Sequence, residues 1–350
     1  MASHIEPREQ FETRKQDHIR LSLKASNQAA GGAGFDRIQL IHEALPEIDF
    51  SDIDLSARSL GVETATPFLI SSMTAGHADS IDLNVRLAKA AGERGWRMGV
   101  GSQRKELGDA EAAKEWAKVR KAAGDVILFG NLGIAQLIHT EVSAVEKLVD
   151  SLEAAGMIIH LNALQECLQP EGTTDFKNGI KALKRLARRL KVPVIVKETG
   201  CGFSASTLKR LKGLGLGAVD ISGFGGTHWG RIEGDRNLRH DLKREAAATF
   251  KDWGISTVES MAHAARVKHD YEIWASGGVR TGLDAAKLLA MGADMVGFAM
   301  PILEAALKGE ETLRQKMATI EFELRTALFC TGCRSLKELR SKKVWEWRKS

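Results

Sequence analysis

The sequence predicts an α/β chain folded as a (β/α)8 TIM barrel, with an N-terminal extension and a long loop after the sixth strand. Three observations predict it. Eight short apolar runs recur along the chain, each followed by a stretch of helical periodicity. The runs are apolar throughout, as parallel strands buried on both faces are. Two glycine-rich turns, SGGVRTG from Ser276 and GFAMPIL from Gly297, stand where such barrels cradle a phosphate, after strands seven and eight. An open doubly wound sheet is the alternative arrangement of the same units.

The runs, in order, are PFLISSM from Pro67, WRMGVGS from Trp96, VILFGNLG from Val126 and MIIHLNAL from Met157. VPVIVKETG from Val192, AVDISGFGG from Ala218, YEIWASGGV from Tyr271 and ADMVGFAMP from Ala293 complete the set. Between them Val142, Val145, Leu148, Val149 and Leu152 keep helical spacing, and Gly156 is placed to end that helix. Ile180, Leu183, Leu186, Ala187 and Leu190 form a second stripe. Thr281 suits the N-cap of the helix after Gly282, and Ser204 or Ser206 that of another.

Three regions lie outside the repeat: residues 1–60, an arm with a flexible GGAG at Gly31; residues 225–254, an insertion after strand six with the length of a lid; and residues 311–350, helical and charged. The barrel itself is expected over 61–310, close to the roughly 250 residues such barrels need.

Composition narrows the function. With 43% hydrophobic residues and a net charge of +5, the chain has a large core and a mild affinity for anions. It has no basic run of the kind nucleic acid selects. Four cysteines are too few for a disulfide framework. The charged start lacks a signal peptide's apolar core, and no run approaches a membrane span, so a soluble cytoplasmic protein is expected. KKVWEWRKS near the C-terminus is expected to dock on its own domain or a neighbouring subunit rather than on a membrane.

Ligands of such barrels bind beyond the C-terminal strand ends. Those ends carry Ser71, Ser72, Met73 and Thr74; Ser102, Gln103 and Arg104; Asn131; His160, Asn162, Gln165 and Glu166; Lys197, Glu198 and Thr199; Ser222 and Thr227. Small hydroxyls, amides and a lysine suit the edge of a flat heteroaromatic ring. Gly277, Gly278 and Ala299 then suit its phosphate, which favours flavin mononucleotide (FMN) over a bare sugar phosphate. Lys197 suits a Schiff base, charge stabilisation on a reduced flavin, or a simple pair with Glu198 or another carboxylate. Cys330 and Cys333 form a lone CxxC without the second pair that zinc needs.

RKQDHI from Arg14, PFLISSMTAG from Pro67, GVGSQR from Gly99, NLG from Asn131, HLNALQE from His160, QPEG from Gln169, VIVKETGCGFS from Val194, DISGFGGTHW from Asp220 and SGGVRTG from Ser276 carry a further signal. In that order, over most of the chain, they resemble the type 2, flavin-dependent isopentenyl diphosphate isomerases. The resemblance implies a 1,3-allylic proton shift between isopentenyl and dimethylallyl diphosphate, with reduced FMN, NADPH as reductant and Mg²⁺ on the diphosphate. It implies FMN contacts from Ser72, Met73, Thr74, Ser102, Asn131, Lys197, Ser222, Thr227, Gly277, Gly278, Arg280, Ala299 and Met300. Substrate contacts fall to Arg14, Lys15, His18, Ser102, Gln103, Arg104, Asn162 and Gln165, and the Mg²⁺ ligand is Glu166. Proton transfer is assigned to the reduced flavin, with His160 and Gln165 as the catalytic side chains orienting groups around it. A homo-oligomer, tetramer or octamer, is implied as well. The arm bearing Arg14, Lys15 and His18 is expected to order over the site when diphosphate is present.

Three positions depart from the family pattern. Ala75 replaces a glycine, His228 replaces a serine and is expected to face solvent, and threonines stand in EGTTDF where an acidic residue is usual. A 2-hydroxy acid oxidase would need a histidine base ending strand seven, where Ala275-Ser276-Gly277 stands, and a nucleotide dehydrogenase a nucleophilic cysteine, for which only Cys201 is available. A non-catalytic flavin-binding protein would not need Gln165 and Glu166.

Overall fold

The computed structural model describes residues 8–29, 31–73, 81–109, 111–237 and 241–348. Eight parallel strands close into a barrel: β1 (Phe68–Ile70), β2 (Arg97–Gly99), β3 (Leu128–Gly133), β4 (Gly156–Leu161), β5 (Val194–Glu198), β6 (Ala218–Asp220), β7 (Glu272–Ala275) and β8 (Met295–Phe298). Each pairs with its neighbour in sequence, and β8 returns to β1 through Val296 opposite Phe68. The strands are shorter than the apolar runs that announce them. The polar tail of each run leaves the ladder and becomes the loop at the barrel mouth.

Every strand contributes buried apolar side chains, with Met98, Phe129, Ile158, Ile195, Val219 and Val296 essentially inaccessible. The bottom of the barrel is closed by a hairpin, Ala57–Ser59 against Val62–Thr64. Arg97 reaches down to donate to the carbonyls of Ser59 and Val62, while Glu272 accepts from the Leu60 N–H. Trp274 Nε1 donates to Ser59 Oγ. The opposite end, where the strands terminate, is left for ligands.

The surrounding helices follow their predicted stripes, with two differences. The helix Val142–Leu152 ends at Glu153, which takes the left-handed conformation (φ 49°) and bonds back to Asp150 and Val149. Gly156, expected as its terminator, instead opens β4, because the apolar stripe is exhausted at Leu152. Ser204, rather than Ser206, caps the helix Ala205–Leu211. Thr281 caps Gly282–Ala290 and forms a reciprocal capping box with Asp284.

The extensions meet each other. The strand Trp345–Trp347 pairs antiparallel with Ile38–Leu40, and Arg37 stacks its guanidinium over Trp347 at 5.3 Å. The tryptophan-rich tail therefore docks on its own chain. Within the GGAG segment Gly31 and Gly32 are exposed, whereas Ala33 and Gly34 are packed: the Ala33 carbonyl accepts from Val258 N–H, and Ala33 sits so close that a Cβ on Gly225 would lie 2.2 Å from its Cα. Among the described residues no helix is long and apolar enough to cross a membrane.

The insertion forms two helices, Trp229–Arg236 and Leu242–Thr249. His228 does not face solvent. It is 1% exposed; its Nδ1 accepts from the Arg231 N–H and caps the first helix, and its Nε2 donates to the Trp253 carbonyl at 3.1 Å. A ring serves here as a serine would, because the cap needs only an acceptor and the second nitrogen finds its own partner. His228→Ala is expected to lower stability by about 1 kcal/mol, measured by urea unfolding. An unchanged midpoint would show that the cap contributes nothing.

Candidate active site

Strand register builds the centre of the site. His160 on β4 lies opposite Lys197 on β5, and Lys197 opposite Asp220 on β6. Cross-strand partners share a face, so the three side chains form a row at the mouth. Lys197 Nζ donates to Asp220 Oδ2 at 2.8 Å and to Ser276 Oγ at 2.9 Å, and Ser276 Oγ donates in turn to Asp220 Oδ1 at 2.7 Å. Lys197 thus pairs with Asp220, not Glu198. Glu198 turns its Oε2 to the backbone N–H groups of Thr199, Gly200, Cys201 and Gly202. Burial nevertheless pushes its carboxyl up to about 7, against the pull of those donors and Lys197.

His160 is held in one tautomer. Asn131 Nδ2 donates to the Val100 carbonyl, which orients the amide so that Oδ1 accepts from His160 Nδ1 at 2.7 Å. Nε2 therefore keeps its lone pair. Gly133 makes room for the ring, since a Cβ there would sit 2.9 Å from Nε2. Burial, with Lys15 and Lys197 nearby, lowers His160 to about 3, so the ring is neutral at physiological pH.

Beyond the row, the short helix Ala163–Leu168 carries Gln165 and Glu166 at the end of β4. Asn162 Nδ2 donates to Gln165 Oε1 at 3.1 Å and to Glu166 Oε1 at 3.0 Å. Gln165 Nε2 donates to Glu233 Oε1 at 2.9 Å, as does His18 Nε2 at 2.9 Å. Glu233 has no exposed surface, and burial alone would raise its carboxyl; the His18 and Gln165 hydrogen bonds and the Arg236 charge hold it well below the usual carboxylate range. Burial lowers His18 to about 4.

The helix Arg8–Ser22 brings Arg14 and His18 to this network, both 6% exposed. Arg14 lies 4.0 Å from Glu171, and Trp229 stands edge-on to the His18 ring at 5.0 Å. In this structure the arm is helical and docked on the insertion.

One cavity collects these groups. It is lined by Arg14, Lys15, His18 and Arg104; by Ser72, Met73, Ser102 and Asn131; by His160, Asn162, Gln165, Glu166 and Lys197; and by Ser222, Thr227, Gly277, Gly278, Arg280, Ala299 and Met300. Thr74 lies outside the described residues. Gln103 is not among the lining residues. Its amide donates to the Leu148 carbonyl and accepts from the Asn131 N–H, so it braces Asn131 and is not placed to touch substrate.

At the far side of the cavity, Gly278 adopts φ +72°, and a Cβ there would meet the Gly225 carbonyl at 2.6 Å. The helix Met300–Lys308 begins at Ala299 without a side-chain cap; Pro301 carries no N–H and those of Ile302 and Leu303 donate to the Ala299 carbonyl, so the Met300 N–H is what its first turn offers an anion. Ser71 Oγ and Ser72 Oγ are buried without a partner, as donors awaiting a ligand are. Asn162 Oδ1 is likewise buried and unpartnered, beside Glu166. Among the described residues no group of three or more His, Cys, Asp or Glu is disposed to hold a metal.

A model of the FMN-dependent dehydrogenase family matches residues 20–159 and 169–346. An isopentenyl-diphosphate delta-isomerase of Legionella pneumophila (strain Corby) is 53% identical, over 95% of this chain and 97% of its own. The isomerase of Bdellovibrio bacteriovorus is 52% identical over 97% and 99%, and that of Halobacterium salinarum 42% over 94% and 92%. The chain belongs to the isopentenyl-diphosphate delta-isomerases within the FMN-dependent dehydrogenase family.

The barrel also superposes on a lactate oxidase of Pediococcus acidilactici (TM-score 0.66, 16% identity, 97% of this chain and 94% of that one). It superposes equally on an (S)-mandelate dehydrogenase of Pseudomonas putida (TM-score 0.66, 17% identity, 96% and 99%). Those likenesses show the fold that the isomerases share with hydroxy acid enzymes. Sequence reading of this isomerase-family chain missed Asp220, Glu233, Glu171 and Arg236. Asp220 was visible in DISGFGG at a strand end; the other three sit in polar segments where no periodicity marks them.

The buried neutral histidines set an acid limit. A histidine whose folded pKa lies below its unfolded value of 6.5 stabilises the fold above pH 6.5. That stability is lost as pH falls toward the folded pKa. At pH 5 each of His160 and His18 is expected to forfeit about 2 kcal/mol. Glu198, pushed upward, acts in the opposite sense between about 4.5 and 7. Comparison with His160→Gln isolates one term: urea midpoints should fall less steeply in the variant between pH 6.5 and 4.5. Parallel slopes would mean that His160 is not buried neutral.

Proposed function

We propose that this protein interconverts isopentenyl diphosphate and dimethylallyl diphosphate by a 1,3-allylic proton shift, with FMN and Mg²⁺ at the barrel mouth and NADPH as reductant. One observation carries the reading: a single cavity presents two sets of anion-receiving groups. Gly278, Arg280 and the uncapped helix at Met300 suit a cofactor phosphate, and Arg14, Lys15 and Arg104 suit a substrate diphosphate.

Ser72, Ser102, Asn131, Lys197 and Thr227 would hold the flavin edge, with the buried hydroxyl of Ser72 free to donate. When bound, reduced FMN supplies an electron-rich ring with an exchangeable proton. Lys197 keeps a cation beside that ring and is itself fixed by Asp220 and Ser276. Mg²⁺ prefers one or two carboxylates with phosphate oxygens and water, so Glu166 with the free Asn162 Oδ1 fits it. When bound, that ion neutralises diphosphate charge.

His160 offers a neutral Nε2 acceptor, and Gln165 a side chain pinned by Asn162 and Glu233, so both orient groups rather than carry charge. The arm helix and the first insertion helix border the cavity through Arg14, His18 and Trp229. A homo-oligomer and a cytoplasmic location belong to the same proposal.

Anaerobic incubation with isopentenyl diphosphate, FMN, NADPH and Mg²⁺, followed by proton NMR, tests it. Dimethylallyl methyl signals should appear, and EDTA should abolish them. No conversion by flavin-loaded protein, or flavin reduction by lactate or mandelate, would overturn the reading in favour of a flavin-binding protein or a hydroxy acid oxidase.

A further inference from the structure

The Arg280 guanidinium lines the cavity beside Gly226 and Gly278, yet its hydrogen bond runs away from the barrel loops to the N-terminal extension. Its Nη2 donates to Gln28 Oε1 at 2.7 Å. The same amide donates through Nε2 to the Ser22 carbonyl at 2.8 Å, at the end of the arm helix. Gln28 also bridges Thr227 through the backbone, its Oε1 accepts from Thr227 Oγ1 at 3.4 Å, and the next residue donates its N–H to the Gly226 carbonyl at 2.7 Å. One neutral side chain therefore joins the helix bearing Arg14 and His18 to the loops that carry Gly226, Gly278 and Arg280.

The chemistry of that side chain matters. A carboxylate at this position would orient Arg280 but cancel its charge and compete with any anion. An amide orients the fork and leaves the cation unspent. We infer that Gln28 is the positioning residue that presents Arg280 to the phosphate of the flavin, and that it couples flavin loading to the seating of the arm. This rests on the FMN reading above.

The experiment is fluorescence titration of flavin-free protein with FMN and, separately, with riboflavin, which lacks the phosphate, for the wild type, Gln28→Ala and Gln28→Glu. Gln28→Ala is expected to weaken FMN about tenfold, the usual effect of losing a hydrogen bond to a charged group. Gln28→Glu should weaken it further, by about 50-fold or more, because the anion is then repelled as well. Riboflavin affinity should fall several-fold less than FMN affinity in both, since the short contact to Arg280 concerns the phosphate while the contact to Thr227 at the ring edge is long at 3.4 Å.

Wild-type FMN affinity in both variants would overturn the inference. Equal losses for FMN and riboflavin would overturn it too, making Gln28 a packing residue. If the wild type itself binds neither flavin, the FMN reading fails first and this inference with it.

Discussion

Glu233→Ala is expected to lower kcat/KM for the isomerisation by about a thousandfold, the largest single effect in the site. The carboxylate is fully buried and accepts from both His18 and Gln165, while Arg236 binds its other oxygen. Removing it strands two buried donors and takes from Arg236 one of its two carboxylate partners, Glu171 at 2.7 Å being the other, a defect of about 3 kcal/mol. It also releases the Gln165 amide and the arm together. Glu233→Gln should recover part of the loss, because an acceptor for Gln165 returns without the charge that balances Arg236. Initial rates by proton NMR decide it. A Glu233→Ala rate within tenfold of wild type would show that the network is ornamental.

Lys197→Met comes second. The lysine is paired at 2.8 Å with Asp220, and both are nearly inaccessible. The substitution leaves an unpaired carboxylate inside the barrel, and stability should fall by about 3–5 kcal/mol. Adding Asp220→Asn should restore most of that stability, because no buried charge then remains. It should not restore turnover, because the cation beside the flavin is still missing. Urea unfolding and turnover on the single and double variants separate the two roles. A double variant that recovers both would reduce Lys197 to a structural partner.

The barrel was legible because strand periodicity and glycine placement are local signals. Every strand lies in or beside its apolar run, and the residues past each run form the mouth. Lys197 and His160 could be located because a polar residue ending an apolar strand has few places to go. Their partners were harder. Glu233 meets His18 across 215 positions and Gln165 across 68, from a segment whose composition reads as a solvated loop. His228 illustrates the same limit. Its type suggested a surface residue, and only the helix beginning at Trp229 reveals it as a cap. Gln103 shows another limit: its motif places it near the strand end, but only the turn of the chain after β2 shows that its amide meets the Leu148 carbonyl and the Asn131 N–H.

The short ribbon made by Ile38–Leu40 and Trp345–Trp347 joins positions some three hundred residues apart. Closing so long a loop is entropically slow. A nascent polypeptide can complete its central strands well before this clasp exists. One of its strands follows the GGAG segment, whose Ala33 packs against Gly225 and Gly278. The ribbon is therefore expected to be among the last elements to form as the chain folds.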